Sequence, residues 1–228
     1  MENILAKISI MLVPALMAVT IHEVAHGFFA DRFGDPTARL LGRLTPNPVK
    51  HLDPVGTLAL LIFGFGWARP VPVNFHNLRK PKTDMIWVAL AGPLANLFLA
   101  MVSAFVLHSV ILVAELLPAD QQMAYQFLEP LALMAGFSLY INIILAVFNL
   151  LPVPPLDGGR VMVGILPPRQ ADMLARIEPF GFILIIFLIF FTDIYRLFLA
   201  PIVFGMVSFM AGSQEYMVFR AIEFLFGR

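Results

Sequence analysis

The chain has 228 residues, 60% hydrophobic and 13% charged, with a mean hydropathy of +0.86; soluble domains carry about 25% charged residues, so this composition points to a chain built for lipid. Its formal net charge of zero gives no electrostatic basis for binding nucleic acid. With no cysteine, disulfides, thiolate ligands and thiol nucleophiles are excluded, and any metal must be held by His, Asp or Glu.

The first apolar run, about Ile4 to Phe33, exceeds the roughly 20 residues needed to cross a bilayer. It opens "MENILAK", without a basic leader, and continues past any cleavage point, so it reads as a retained span rather than a signal peptide. Inside it lies "TIHEVAHGFF", residues 20 to 29. Residues four apart on a helix differ by about 40° in direction and about 6 Å in height, so His22 and His26 present their rings to one point, with Glu23 beside them. His-Glu-x-x-His is the zincin pattern, in which two imidazoles bind zinc and the glutamate is the general base. Ionisable groups at membrane depth are costly and functional by default.

A catalytic zinc needs a third protein ligand and a fourth, open position. The extended zincin pattern fails, because Phe29 and Arg32 stand where its Gly and His would be. Asp31, Asp35, His51, Asp53, His76, Asp84 and Asp157 remain as candidates, and spacing does not choose among them.

Between the first and second spans lie Arg32, Arg39, Arg43, Lys50, Arg69, Arg79, Lys80 and Lys82. In that connection Val55 to Trp67, "VGTLALLIFGFGW", is too short to span and reads as a re-entrant or interfacial segment. "WARPVPVNF", 67 to 75, alternates apolar residues with prolines and reads as extended chain, with Val71, Val73 and Asn74 as an edge that could align a substrate strand. The second span runs from Met85 to Leu116, and the connection at 117 to 127 has no Lys or Arg. The third runs from about Leu128 to Leu151 and is stopped by Pro152, Pro154 and Pro155. Asp157, followed by two glycines, reads equally as a cap on the next helix or as a ligand brought to the first one.

Arg160, Arg169 and Arg176 follow the third span, so the positive-inside rule puts both basic stretches in the cytoplasm and the N-terminus outside. A fourth apolar block, Pro179 to Met210, is broken by "TDIYR" at 192 to 196 and reads as two helices. The C-terminal "SQEYMVFRAIEFLFGR" has the pattern of an amphipathic interfacial helix. The fold expected is an all-α polytopic membrane protein of about five transmembrane helices, a re-entrant segment and a short β-hairpin. One integral membrane domain covers 1–228, with a core over about 4–165 and a C-terminal helical hairpin and interfacial helix over about 170–228.

"HEVAH" in the first span, "AGPLAN" at 91 to 96 and "FNLLPVPPLDGGR" at 148 to 160 together resemble the site-2 protease family of intramembrane zinc metalloproteases. "GRLTPNPVKHLDPVG", 42 to 56, is similar to the short form of that family, which lacks a PDZ domain. The resemblance implies one Zn2+ per chain, with Asp157 as the third ligand beside His22 and His26, and Glu23 as the catalytic base. It further implies that Asn149 holds substrate or the developing oxyanion, that a membrane-associated β-hairpin lies near 67–75, and that single-span membrane proteins are the substrates. His51 could approach the metal or substrate, and Asn96 could face the catalytic helix; His108 reads as structural.

Intramembrane His, Glu and Asp also build ion and proton pathways, so a divalent-metal or proton-coupled transporter is the alternative. Such proteins show paired repeats with broken helices in matching positions, which this sequence lacks. A non-enzymatic scaffold leaves Glu23 unexplained.

Overall fold

In the computed structural model, residues 2–56, 68–118, 120–181, 183–185, 187 and 192–227 are described. They are helical almost throughout: α1 (Glu2–Phe33), α2 (Pro81–Leu116), α3 (Gln122–Asn149), α4 (Asp157–Ile165), α5 (Pro168–Ala175), α6 (Ala200–Ala211) and α7 (Glu215–Phe226). Among the described residues, four stretches are long and apolar enough to cross a membrane: Leu5–Phe33, Pro81–Leu116, Gln122–Asn149 and Tyr195–Phe226. The expected re-entrant run lies outside the described residues from 57 to 67, as does much of the expected helix after Pro179. Thr192 and Asp193 make the predicted turn, with Ile194 N donating to Thr192 Oγ1. A π-type turn, Tyr195–Leu199, then feeds α6.

The expected β-hairpin is not formed among the described residues. A single antiparallel bridge pairs Leu52 with Ala68, supported by Arg69 N donating to His51 O at 2.8 Å. Beyond it the chain is extended but does not join a ladder. Pro70 and Pro72 have no N–H to offer, and the amides of Val71 and Asn74 are committed to carboxylates, Glu23 and Asp35.

The contacts group into two compact units. The first comprises the chain through Ala18, Asn96–Leu145 and the chain from Arg196. Its exterior is apolar, with Phe98, Phe105, Leu112 and Phe209 all more than half exposed, as expected where the solvent is lipid. Its interior, largely apolar, also holds a linked set of polar side chains. Asn96 Nδ2 donates to Ala18 O and to Asn142 Oδ1, Asn142 Nδ2 to Ser138 O, and Ser103 Oγ to Ser138 Oγ. Such bonds hold helices together where no hydrophobic force separates helix from lipid. The amphipathic C-terminal sequence is α7, which buries Met217, Val218 and Ala221 and whose backbone at Met217 and Val218 lies against Gly136 of α3. Arg220 pairs with Glu129 of α3 on the outer side.

The second unit, Val19–Ala95 and Ala146–Tyr195, holds the second half of α1, the start of α2, the end of α3, and α4. α1 stops at Gly34, whose φ of +114° is open to glycine at little cost, and Asp35 N turns back to Ala30 O. Ala30, Leu78 and Val88 form a small core there, joined by Phe33, Val73, Phe75 and Met85. This core seats the 69–78 segment between α1 and α2.

Candidate metal centre

His22 and His26 point the same way from α1, as their spacing dictates, and their Nε2 atoms lie 3.0 Å apart. The loop Leu150–Leu156 ends α3 and delivers Asp157 at the first turn of α4. Gly158 and Gly159 let that turn press against the backbone of Leu150 and Pro154, where a Cβ would collide. Asp157 Oδ2 then sits 3.1 Å from His22 Nε2 and 3.2 Å from His26 Nε2. Gly92 of α2 closes the back of the group, since a Cβ there would strike both imidazoles.

All three residues are buried, and Asp157 Oδ2 accepts no well-directed hydrogen bond. His26 Nδ1–H donates to Val88 O at 2.7 Å, which fixes the tautomer and leaves the Nε2 lone pair facing His22 and Asp157. Burial would push the Asp157 carboxyl up, but its close contacts with His22 and His26 outweigh it and hold the group well below the usual carboxylate range. Two imidazole nitrogens and a carboxylate oxygen thus converge on one buried point. Ligands in a tetrahedral zinc site at about 2.0–2.1 Å lie about 3.3 Å apart, close to the observed triangle. His22, His26 and Asp157 could hold one metal ion, and their N,N,O donor set fits a zinc with a free fourth position.

Glu23, beside the triangle, shares with it a cavity of about 230 Å³. Asn149 and Arg160 add polar groups to the wall, and Val71, Val73, Phe75 and Val88 add apolar ones. Glu23 Oε2 accepts the Val71 amide at 2.7 Å.

Of the residues singled out from the sequence, His22, Glu23, His26, Asp157, Asn149, Val71 and Val73 come together around this cavity. Asn74 lies off it, its amide on Asp35 Oδ2 and its side chain capping the turn at His76. His51 is buried away from the metal group, with Nε2–H donating to Thr45 O. Asn96 belongs to the polar network of the first unit. Asp35, weighed as a third ligand, instead accepts from the Asn74 amide and the Asn77 side chain, and the residues not anticipated are Gly27, Arg43 and Arg160. Only the glycine directly after the second histidine carried a local signal, a position where another chain could approach α1.

Two helix-borne histidines and a distant aspartate thus form a group that could hold a metal ion, with a glutamate on the wall of the same cavity. Comparison with known proteins agrees. The model of "Peptidase family M50" matches residues 106–191. The "Putative zinc metalloprotease YwhC" of Bacillus subtilis (strain 168) is 42% identical over 187 residues, covering 80% of each chain. The "Putative zinc metalloprotease Rip2" of Mycolicibacterium smegmatis is 30% identical over 209 residues, covering 89% of this chain and 74% of that one. No solved structure is a significant match. The chain belongs to peptidase family M50, the site-2 protease family, and by that membership is a zinc metalloprotease.

Proposed function

We propose that this protein hydrolyses peptide bonds of single-span membrane proteins within the bilayer, as one integral membrane domain, with His22, His26 and Asp157 holding one zinc ion and Glu23 moving the proton. The observation that carries the reading is the triangle of ligand atoms, 3.0 to 3.2 Å on each edge, with Glu23 on the wall of the same cavity. Zinc, when bound, supplies the Lewis acidity that makes water nucleophilic near neutral pH and polarises the scissile carbonyl. Glu23 accepts the proton of the attacking water and returns it to the leaving amine. Asn149, on the same wall, donates to the developing oxyanion.

A transmembrane substrate hides its backbone in internal hydrogen bonds and must be extended before attack. The 69–74 segment supplies a matching partner for such an extended chain. Prolines at 70 and 72 strip donors from that segment, whereas the backbone of Val73 retains both groups for a substrate strand. The basic residues between α1 and α2 and after α3 support an orientation with the N-terminus outside and the catalytic end of α1 towards the cytoplasm, in the cell membrane.

The test is cleavage of a panel of single-span proteins by the purified chain in detergent, with zinc content measured alongside. Glu23→Gln is expected to keep its zinc and lose about 10²–10⁴-fold in rate, while His22→Ala and Asp157→Ala lose both metal and cleavage. Wild-type rates in Glu23→Gln, or full metal in both alanine variants, would refute the assignment. Metal flux into vesicles without any cleaved product would favour the transporter.

A further inference from the structure

We infer that Arg43 is a positioning residue for Glu23, acting through the backbone of the segment that crosses α1 at Gly27. Arg43 is buried beside this segment, and its Nη2 donates to Arg69 O at 2.8 Å and, more weakly, to Pro70 O at 3.4 Å. The N–H of the next residue, Val71, donates to Glu23 Oε2 at 2.7 Å. Pro70 O and Val71 N–H belong to one peptide group. That group therefore lies between a cation at its oxygen and an anion at its hydrogen, the arrangement in which hydrogen bonds polarise and strengthen one another. Burial and the nearby Arg69 charge lower the Arg43 pKa while Glu23 opposes them, as a guanidinium and carboxylate linked across a short distance require.

The backbone between the two charges is stiff. Arg69 and Val71 each precede a proline, which keeps both extended. Gly27 lies one helical turn after Glu23 on the same face of α1. A Cβ at Gly27 would come within 2.8 Å of Val71 Cγ1 and 2.6 Å of Leu44 Cδ2. Val71 thus meets the helix twice, by its amide at Glu23 and by its methyl group over Gly27, and cannot slide along it. With Oε2 held in this way, Oε1 is left for proton transfer. A general base must stand about 2.6–3.2 Å from the proton it takes, and a misplacement of about 1 Å costs about 10²-fold in rate.

This inference rests on Glu23 as the proton acceptor, so Glu23→Gln accompanies the other variants. Arg43→Ala, Arg43→Lys, Val71→Pro and Val71→Ala are compared on one substrate that the wild type cleaves. Arg43→Ala and Val71→Pro, the latter lacking the amide hydrogen, are expected to lose about 10–100-fold in kcat, with KM within about twofold and zinc content unchanged. Arg43→Lys recovers most of the loss, and Val71→Ala, which keeps the amide, stays at least about tenfold above Val71→Pro. On metal-free protein, the drop in Tm caused by Val71→Pro shrinks by about half or more in a Glu23→Ala background, because contacting groups are not additive. Wild-type kcat in Val71→Pro, a loss confined to KM, or Tm drops that simply add would each overturn the inference, even if Arg43→Ala fails to fold. Normal cleavage by Glu23→Gln would instead remove the reading of Glu23 and this inference with it.

Discussion

At Gly92 the missing side chain is a requirement of the metal group. In an ordinary helix, alanine in place of glycine is favourable by about 1 kcal/mol. Here the new methyl group would occupy the space of both Nε2 edges. Gly92→Ala is therefore expected to weaken zinc binding by about 10–100-fold, the range seen when the support of a metal ligand is disturbed, and competition with a chromophoric chelator measures it; wild-type affinity would show that the rings can yield. The pair His22 and His26 was legible in the sequence because both are carried by one helix, whose period fixes their relative direction. Gly92 stood in the sequence only as part of "AGPLAN" at 91 to 96. That its neighbours are the imidazoles themselves depends on how α2 lies against α1.

At the scale of the element, the segment 69–77 shows how charged side chains replace a sheet. Arg43 holds its first carbonyls, Glu23 its Val71 amide, and Asp35 the Asn74 amide and the Asn77 side chain. Asp35 is fully buried and also accepts from Thr37 N and Oγ1. Burial would raise its pKa, but the hydrogen bonds from Thr37, Asn77 and Asn74 outweigh it and lower the value. A lowered carboxyl pKa adds stability above the unfolded value of about 3.9 and loses it as pH falls through the folded value. The difference in Tm between wild type and Asp35→Asn is therefore expected to stay constant above about pH 5 and to shrink as pH falls below about 4. A difference that instead grows on acidification would contradict this account. The sequence pattern of alternating prolines and valines correctly indicated extended chain, whereas the family resemblance implied a hairpin. Pairing partners are a tertiary matter, and here side chains met the amides first.

At the scale of the molecule, the exposed phenylalanines and leucines of the first unit are what the apolar composition foretold. Within the first unit, Asn96 is fully buried, joining the α1 backbone to Asn142. Its sequence context suggested a neighbour of the catalytic helix, and the amide does meet that helix, at Ala18 O. Side-chain hydrogen bonds between membrane helices are each worth about 0.6 kcal/mol on average, up to about 1.7. Asn96→Leu is thus expected to destabilise the fold by about 1–2 kcal/mol, read as a lower Tm in detergent; an unchanged Tm would mean that these bonds are replaced at no cost.

The amino-acid sequence by itself determined the solvent, the long spans, the two-histidine face and its adjacent glutamate, because each follows from composition or from the period of a single helix. Family resemblance selected Asp157 where spacing could not. Tertiary structure alone brought the Asp157 oxygen to about the separation a tetrahedral ion asks of its ligands. It also alone laid the Val71 amide on Glu23. Both are contacts between segments remote in the chain, and no local propensity records them. They are fixed by glycines that permit close approach and by buried charges that must find partners.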